Sequence, residues 1–197
     1  MFIAHLPAGY ICSKYAIPLF KKQGINSWYF IAAGIAGALT PDLDMLYFYF
    51  VDQRQHHHHT YWSHYPIVWF SLLCVSMVWL RWASVKQFAA ISRDGVYAAR
   101  GQESGAAIDR DGVYAARGQE SGAVLALIFS LNGFVHMLLD TVVGDIWWFA
   151  PFVDKPFALF SVASVYKPWW LNFILHWTIL LEIAICLWAF LLWRRKR

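Results

Sequence analysis

The sequence predicts an all-α fold: a polytopic helical membrane protein with about four to five membrane segments and a His/Asp cluster between its helices. Hydrophobic residues make up 59% of the 197 residues and charged residues 14%, whereas soluble domains average about 45–50% and about 25%. Long apolar runs recur along the chain, and basic residues stand at their ends. This pattern is typical of membrane proteins and indicates a single integral membrane domain over residues 1–197.

Five apolar runs approach the length of about 20 residues that a helix needs to cross a bilayer. The third and fourth are clear spans. The first is broken by Pro7, Lys14 and Pro18, and the second is short but rich in Gly and Ala, which let helices approach closely. The runs cover residues 2–20, 25–39, 66–82, 123–143 and 171–193.

The stretch between the second and third runs is dense in metal-ligating side chains. Asp42 and Asp44 lie two residues apart, and they are followed by the consecutive histidines His56–His59 and by His64. Each buried carboxylate or imidazole costs several kcal/mol unless it is paired or coordinated. We therefore expect the rest of the chain to act as a scaffold for a metal site in this stretch.

Each of these residues also has an ordinary structural explanation. Thr40 and Pro41 favour the start of a helix, so Asp42 and Asp44 could simply stabilise its first turn. The histidine run resembles an affinity tag and could be a solvated loop. It lies between two apolar elements, and this position together with the nearby aspartates favours the metal site.

The fourth run adds a histidine and an aspartate one helical turn apart. His136 and Asp140 are four residues apart and share one helix face, so we expect both to bind the metal. The last run contains His176 and Glu182. We expect His176 to hydrogen-bond a neighbouring helix, as single histidines within membranes commonly do, and Glu182 to make a helix contact.

A duplication separates the third run from the fourth. Residues 89–105 are repeated at 106–122, and the two copies differ only in Ser92 against Asp109. Two near-identical copies cannot stack into a repeat core. The sequence predicts a polar loop without a role in the function, with partner binding as the alternative.

The distribution of basic residues predicts the orientation. Twelve of the 16 Lys and Arg fall on one side if the C-terminal tail, the duplicated segment with its flank, and the turn at Lys21 and Lys22 are cytoplasmic. The N-terminus is then outside and the C-terminus inside a bacterial inner membrane. The histidines and aspartates described above then gather in the outer half of the membrane or just beyond it.

Imidazole and carboxylate ligands without thiolates suit Zn²⁺, with Mn²⁺ or non-haem iron as alternatives. Cys12, Cys74 and Cys186 lie in apolar runs without metal-binding spacing, and we interpret them as small hydrophobic residues. More than four ligands are present. The excess allows either a second metal or carboxylates that act as a general base or orient the histidines. The sequence contains no nucleophile elbow, phosphate-binding loop or HExxH motif.

Four motifs carry a family resemblance. His5-x-x-x-Gly9, Gly37-Ala-Leu-Thr-Pro-Asp-Leu-Asp44, His59-Thr-Tyr-Trp-Ser-His64 and His136-x-x-x-Asp140 together resemble the YdjM type of LexA-binding, inner-membrane-associated, metal-dependent hydrolases. More distantly, they resemble zinc-dependent phospholipase C. The resemblance spans nearly the whole chain and implies a helical membrane protein with hydrolase activity. The motif positions that it implies here are His5, Asp42, Asp44, His59, His64, His136 and Asp140.

This chain departs from the family pattern in the histidine run. Where the family commonly has His-Arg-x-x-Thr-His-Ser, the chain has His56–His59 followed by Trp62-Ser-His64. Which histidine of the run binds metal therefore stays open, and His58 is a candidate beside His59. The predicted metal ligands are His5, Asp42, Asp44, His58, His59, His64, His136 and Asp140.

The leading hypothesis is a membrane-bound, metal-dependent hydrolase with Asp42 or Asp44 as a ligand or as the water-activating base. Its expected substrate is an ester or phosphoester of a lipid or envelope component, and its expected partner is the lipid bilayer rather than a nucleic acid. One alternative is a non-catalytic metal-binding or ion-transport protein whose path is lined by His136, Asp140, His176 and Glu182. Another is a membrane scaffold or stress-response partner without a site.

Overall fold

A computed structural model describes residues 3–99, 110–168 and 170–195 of the chain. Within these residues the fold is all-helical, with seven α-helices and no strand, as the sequence predicts. Short 3₁₀ turns connect several of the helices. The helices are α1 (His5–Ala16), α2 (Ser27–Leu39), α3 (Asp44–Phe50), α4 (Pro66–Ala99), α5 (Arg110–Asp140), α6 (Trp170–Ile174) and α7 (Ile179–Arg194).

Helix α5 is the centre of the fold and packs against α1, α2 and α4. Its inward face is apolar around Val124 and Ile128, which pack with Phe30 of α2 in a buried core. The same face becomes polar toward its C-terminal end, where Asn132, His136 and Asp140 follow at intervals of four residues. This periodicity places the polar residues in one column between the helices.

Glycines allow the helices around α5 to approach closely. A Cβ added at Gly37 would lie 2.0 Å from the carbonyl oxygen of Phe129, and one at Gly133 would lie 1.9 Å from the Trp69 ring. The expectation that the small residues of the second run permit close packing is therefore confirmed at Gly37.

Helices α4 and α5 form an antiparallel hairpin. Trp69 meets Gly133 near one end, and Ser84 donates a hydrogen bond to Glu120 near the other, with an Oγ–Oε1 distance of 2.9 Å. The end of α5 that carries His136 and Asp140 therefore lies beside the start of α4. The described parts of the duplicated segment, residues 89–99 and 110–122, lie toward the opposite end of the hairpin.

Two of the described helices contain segments long and apolar enough to cross a membrane, Pro66–Ala89 and Tyr114–Asp140. Helix α2 is apolar but has only 13 residues. The predicted last run is divided into α6 and α7 around His176. The count of four to five membrane segments is thus not confirmed and stays a prediction.

The predicted polar loop over residues 89–122 differs in the structure. Helix α4 continues to Ala99 and α5 begins at Arg110, so the described parts of both copies are helical. Residues 100–109 lie outside the described residues. Each copy contains four Ala and two Arg, which favour helix, and this local preference outweighs its three Gly.

The predicted helix start at Thr40 also differs. Thr40 follows the last residue of α2, and its hydroxyl donates to the carbonyl of Ala36 instead of capping the next helix. Pro41–Leu43 forms a 3₁₀ turn before α3 begins at Asp44. Asp42 and Asp44 nevertheless lie in first turns, as expected.

Candidate metal centre

The helices bring together side chains that are far apart in the sequence. Helix α1 contributes its first residue, the 3₁₀ turn before α3 contributes Asp42, two 3₁₀ turns before α4 contribute histidines, and α5 contributes its last two turns. The side chains that meet are those of His5, Asp42, His59, His64, His136 and Asp140.

Four of these residues form the inner quartet: Asp42, His64, His136 and Asp140. One ligand atom from each lies within 4.8 Å of the others. The Asp140 carboxylate (Oδ2) is 3.0 Å from His136 Nε2 and 3.7 Å from His64 Nε2. Asp42 Oδ1 lies 3.4 Å and 3.5 Å from the same two nitrogens. Two imidazoles and two carboxylates therefore surround one point.

Two further histidines flank the quartet on either side of Asp140. His5 Nε2 is 3.0 Å from Asp140 Oδ1, and the His5 ring stacks on that of His136 with 3.8 Å between centroids. His59 Nε2 is 3.8 Å from Asp140 Oδ2. Asp140 is therefore the residue that links the flanking histidines to the quartet.

The other ring nitrogens of three histidines are anchored by oxygen acceptors. His136 Nδ1 is 2.7 Å from the carbonyl oxygen of Ala38, and His59 Nδ1 is 3.2 Å from that of Asp145. His64 Nδ1 is 2.6 Å from Asp44 Oδ2. A proton on each Nδ1 leaves a lone pair on Nε2, and this is the arrangement that metal-ligating histidines adopt in proteins.

The centre is buried but open on one side. The side chains of His64 and His136 are 0% exposed and that of Asp140 is 3% exposed, whereas that of Asp42 is 40% exposed. The Nε2 atoms of His5, His64 and His136 are buried and make no hydrogen bond of normal geometry with the described residues. Orphaned nitrogens beside carboxylates fit a divalent metal, because buried polar atoms otherwise require a partner.

Electrostatics at the exposed edge also favour a cation. Burial raises the pKa of Asp42, but its close contacts with the rings of His136 and His64 outweigh burial and hold that pKa well below its usual range. Burial lowers the pKa of His64, but its contacts with Asp42 and Asp44 outweigh this effect and raise it. The carboxylates around His64 thus favour positive charge at this point, which a bound metal ion would supply.

A family profile decides the classification. The profile described as YdjM inner membrane protein matches residues 1–196. The chain belongs to the YdjM family. No curated protein and no solved structure matches it significantly, and the comparisons give no support to the more distant resemblance to zinc-dependent phospholipase C.

The rest of the histidine run in this YdjM-family chain extends from the centre to the surface. His58 is half-buried, with its ring 4.0 Å from that of His59. Burial, His64 and His57 lower the pKa of His58 to about 4. His57 is exposed, and His56 pairs with Asp52 at 2.7 Å outside the centre.

Asp44 contacts the centre through His64 and is not a member of the quartet. Its Oδ2 accepts hydrogen bonds from Ser63 Oγ at 2.5 Å and from His64 Nδ1 at 2.6 Å. Asp44 is the predicted site residue that the structure places behind a histidine and outside the quartet. Of the two roles that the sequence leaves open to a second carboxylate, this geometry matches the one that orients a histidine.

His176 and Glu182, which the sequence places within the last apolar run, lie outside the metal centre. His176 Nδ1 is 2.9 Å from Thr178 Oγ1, and Glu182 accepts a hydrogen bond from the backbone N–H of Ile3 at 2.5 Å. Neither belongs to a group of described residues that could hold a metal. Among the described residues, the His176 ring hydrogen-bonds the nearby Thr178 and not a neighbouring helix.

Sequence reasoning missed the groups that anchor the histidines. The carbonyls of Ala38 and Asp145 leave no residue-type signal in a sequence. Ser63 could have been found from its place directly before His64. Gly144 could have been found as the glycine after α5, where a Cβ would lie 2.7 Å from His59 Cε1.

Proposed function

We propose that this YdjM-family protein is a metal-dependent hydrolase of the inner membrane that acts on an ester or phosphoester bond. The observation that carries the proposal is the inner quartet, in which anchored imidazoles and two carboxylates converge while Asp42 keeps one side open. A closed set of four ligands is typical of structural metal sites, whereas catalytic sites keep a position accessible.

The residues that would hold the metal are His64, His136, Asp42 and Asp140, with His5 and His59 beside Asp140. Zn²⁺ is the ion that this ligand set suits best, and Mn²⁺ or iron are the alternatives. A divalent ion supplies Lewis-acid chemistry, which lowers the pKa of water and polarises the bond to be hydrolysed.

Asp42 and Asp44 have different roles in this proposal. Asp42 is partly exposed on the open side, where its carboxylate can bind the ion or accept a proton from water. Asp44 holds His64 in one orientation through Nδ1. Asp42 therefore acts as a ligand or as the base, and Asp44 as a positioning residue.

The surroundings of the open side support a lipid or envelope component as the substrate. Helix α3 begins at Asp44 and exposes large apolar side chains, with Leu46 59% and Phe50 80% exposed. Trp62, beside the histidine turns, is 71% exposed. Exposed aromatic and apolar residues around a polar opening are typical of the bilayer boundary.

The polar column gives little support to ion transport. It descends α5 from Asp140 to Asn132 and then meets the core of Phe30, Val124 and Ile128, whose side chains are almost fully buried. His176 and Glu182, which the transport hypothesis also requires, make their contacts elsewhere.

Metal content and hydrolysis measured together test the proposal. Purified protein in detergent is assayed with bis-p-nitrophenyl phosphate, p-nitrophenyl esters and phospholipid vesicles, with and without chelator. We expect turnover that chelator abolishes and metal restores. His136→Ala and Asp42→Ala should lose metal and reduce turnover by about 10²-fold or more.

Glu120→Gln is the matched control, because Glu120 is a buried carboxylate on the same helix but bonds Ser84 and Gln23 far from the quartet. It should keep both metal and turnover. Unchanged metal content in both quartet variants would refute the site. Bound metal without turnover on any substrate would instead favour a non-catalytic metal-binding protein.

A further inference from the structure

We propose that His58 and His59 form a second metal-binding position beside the inner quartet and that Asp140 bridges the two ions. The inference rests on the proposed function, because the first ion is the one assigned there. It makes the centre a two-metal site. It also gives a role to the histidine run, which contributes no member to the inner quartet.

The distances bring the run within reach of a shared ion. His58, His59 and His64 each offer a ring nitrogen within 4.8 Å of the other two. The ring centroids of His58 and His59 are 4.0 Å apart, and those of His59 and His64 are 4.7 Å apart. Three imidazoles this close together make a typical environment for Zn²⁺ and related ions.

His64 cannot serve both positions. Its Nδ1 faces Asp44 and its Nε2 faces the quartet, and one imidazole nitrogen binds only one metal. A carboxylate has two oxygens and can bridge. Asp140 is suited to this, because its Oδ2 lies 3.8 Å from His59 Nε2 and 3.0 Å from His136 Nε2. In hydrolytic two-metal sites the ions lie about 3.5–4 Å apart.

The number of available ligands also supports a second metal ion. The quartet supplies three ligands if Asp42 acts as the base and four if it binds the ion, and either number is sufficient for one Zn²⁺. His59 remains, buried and anchored through Nδ1 to the carbonyl of Asp145. His58 makes no hydrogen bond through its ring with the described residues, and it is half-buried at the open side. The second position would thus face solvent, where water or substrate can complete its coordination.

Metal stoichiometry is the direct test. Metal-free protein is equilibrated with buffered Zn²⁺, separated from free ion, and its bound zinc is measured by mass spectrometry. We expect two equivalents in the native sequence and one in His58→Asn. The His58 side chain lies in a turn and is only half-buried, so this variant should fold normally.

His57→Asn is the matched control, because His57 is the exposed neighbour in the same run. It should keep two equivalents. Loss of the second ion in His57→Asn but not in His58→Asn would assign that ion to the exposed histidines and overturn the proposal. One equivalent in the native protein would refute the second position alone, whereas none would refute the metal centre and with it the proposed function.

Electron paramagnetic resonance with Mn²⁺ provides an independent measurement. Two ions bridged by one carboxylate are magnetically coupled and give a spectrum different from that of isolated Mn²⁺. We expect the coupled signal in the native protein and its replacement by the isolated signal in His58→Asn. An isolated signal in the native protein loaded with two equivalents would overturn the bridging arrangement.

Discussion

His136 shows at the scale of single residues what a sequence can predict and what it cannot. The spacing of His136 and Asp140 predicts that they share a helix face, and their side chains lie 3.0 Å apart. The acceptor that fixes the His136 ring is the carbonyl of Ala38. Every residue has a carbonyl, so only the fold determines which one faces a given ring.

The contact between Asp44 and His64 leads to a prediction. Asp44→Asn removes the charge that orients His64, and we expect the metal affinity to fall about 10–100-fold, the usual effect of losing a partner behind a metal ligand. Isothermal titration with Zn²⁺ measures this. Asp52→Asn is the control, because Asp52 pairs with His56 outside the centre and should leave the affinity unchanged. Equal zinc affinities in the native protein, Asp44→Asn and Asp52→Asn would contradict the positioning role of Asp44.

The pH dependence of the same variant provides a second readout. Burial lowers the pKa of His64, whereas Asp42 and Asp44 raise it and prevail. Metal must displace that proton, so binding weakens as the pH falls through the pKa of His64. In Asp44→Asn this pKa is lower, so the pH below which the metal affinity begins to fall should move downward. A merely structural defect would lower the affinity at every pH without moving that point.

At the scale of helices, small residues determine how closely the elements pack. The second run predicts close packing from its Gly and Ala content, and Gly37 indeed lies against the backbone of α5. The sequence does not predict that α4 and α5 extend into the duplication from either side. Polar composition suggested a loop, but polar residues with high helix propensity also extend helices beyond the apolar part.

Gly37→Ala should destabilise the fold. The added methyl group would meet the carbonyl of Phe129 at 2.0 Å, and the backbone must move to accommodate it, at a cost of about 1–3 kcal/mol. The movement also displaces the neighbouring Ala38 carbonyl from His136 and should weaken metal binding. Thermal unfolding in detergent measures the first effect and zinc titration the second.

Gly118→Ala is the matched control on α5. A methyl group there meets nothing within 4 Å, and alanine favours helix over glycine by up to about 1 kcal/mol. We expect its melting temperature to stay the same or rise. A similar loss of stability in both variants would show that close packing at Gly37 is not the cause.

At the scale of the whole molecule, the candidate metal centre and the described parts of the duplicated segment, which carries basic residues, lie at opposite ends of the α4–α5 hairpin. The contact of Trp69 with Gly133 is at the end that carries the centre, and that of Ser84 with Glu120 is toward the duplication. This arrangement is compatible with the orientation that the basic residues predict. A single sequence identifies apolar runs, but it does not determine whether a short run such as that of α2 crosses the bilayer.

Reporter fusions test the predicted orientation. A reporter after Arg197 and another inserted between Gly105 and Ala106 should both report the cytoplasm, because both positions follow clusters of basic residues. Lys155→Cys should react from the outside with a thiol reagent that does not cross membranes. Reporters on opposite sides of the membrane would refute the orientation with five segments.

The inner quartet draws its members from three separate elements of the chain, and His5 adds a fourth from α1. The centre is therefore complete only after the turns around Asp42 and His64 have met α1 and α5. Metal uptake then follows the assembly of the helices, and substitutions that prevent assembly should abolish metal binding even when every ligand is present.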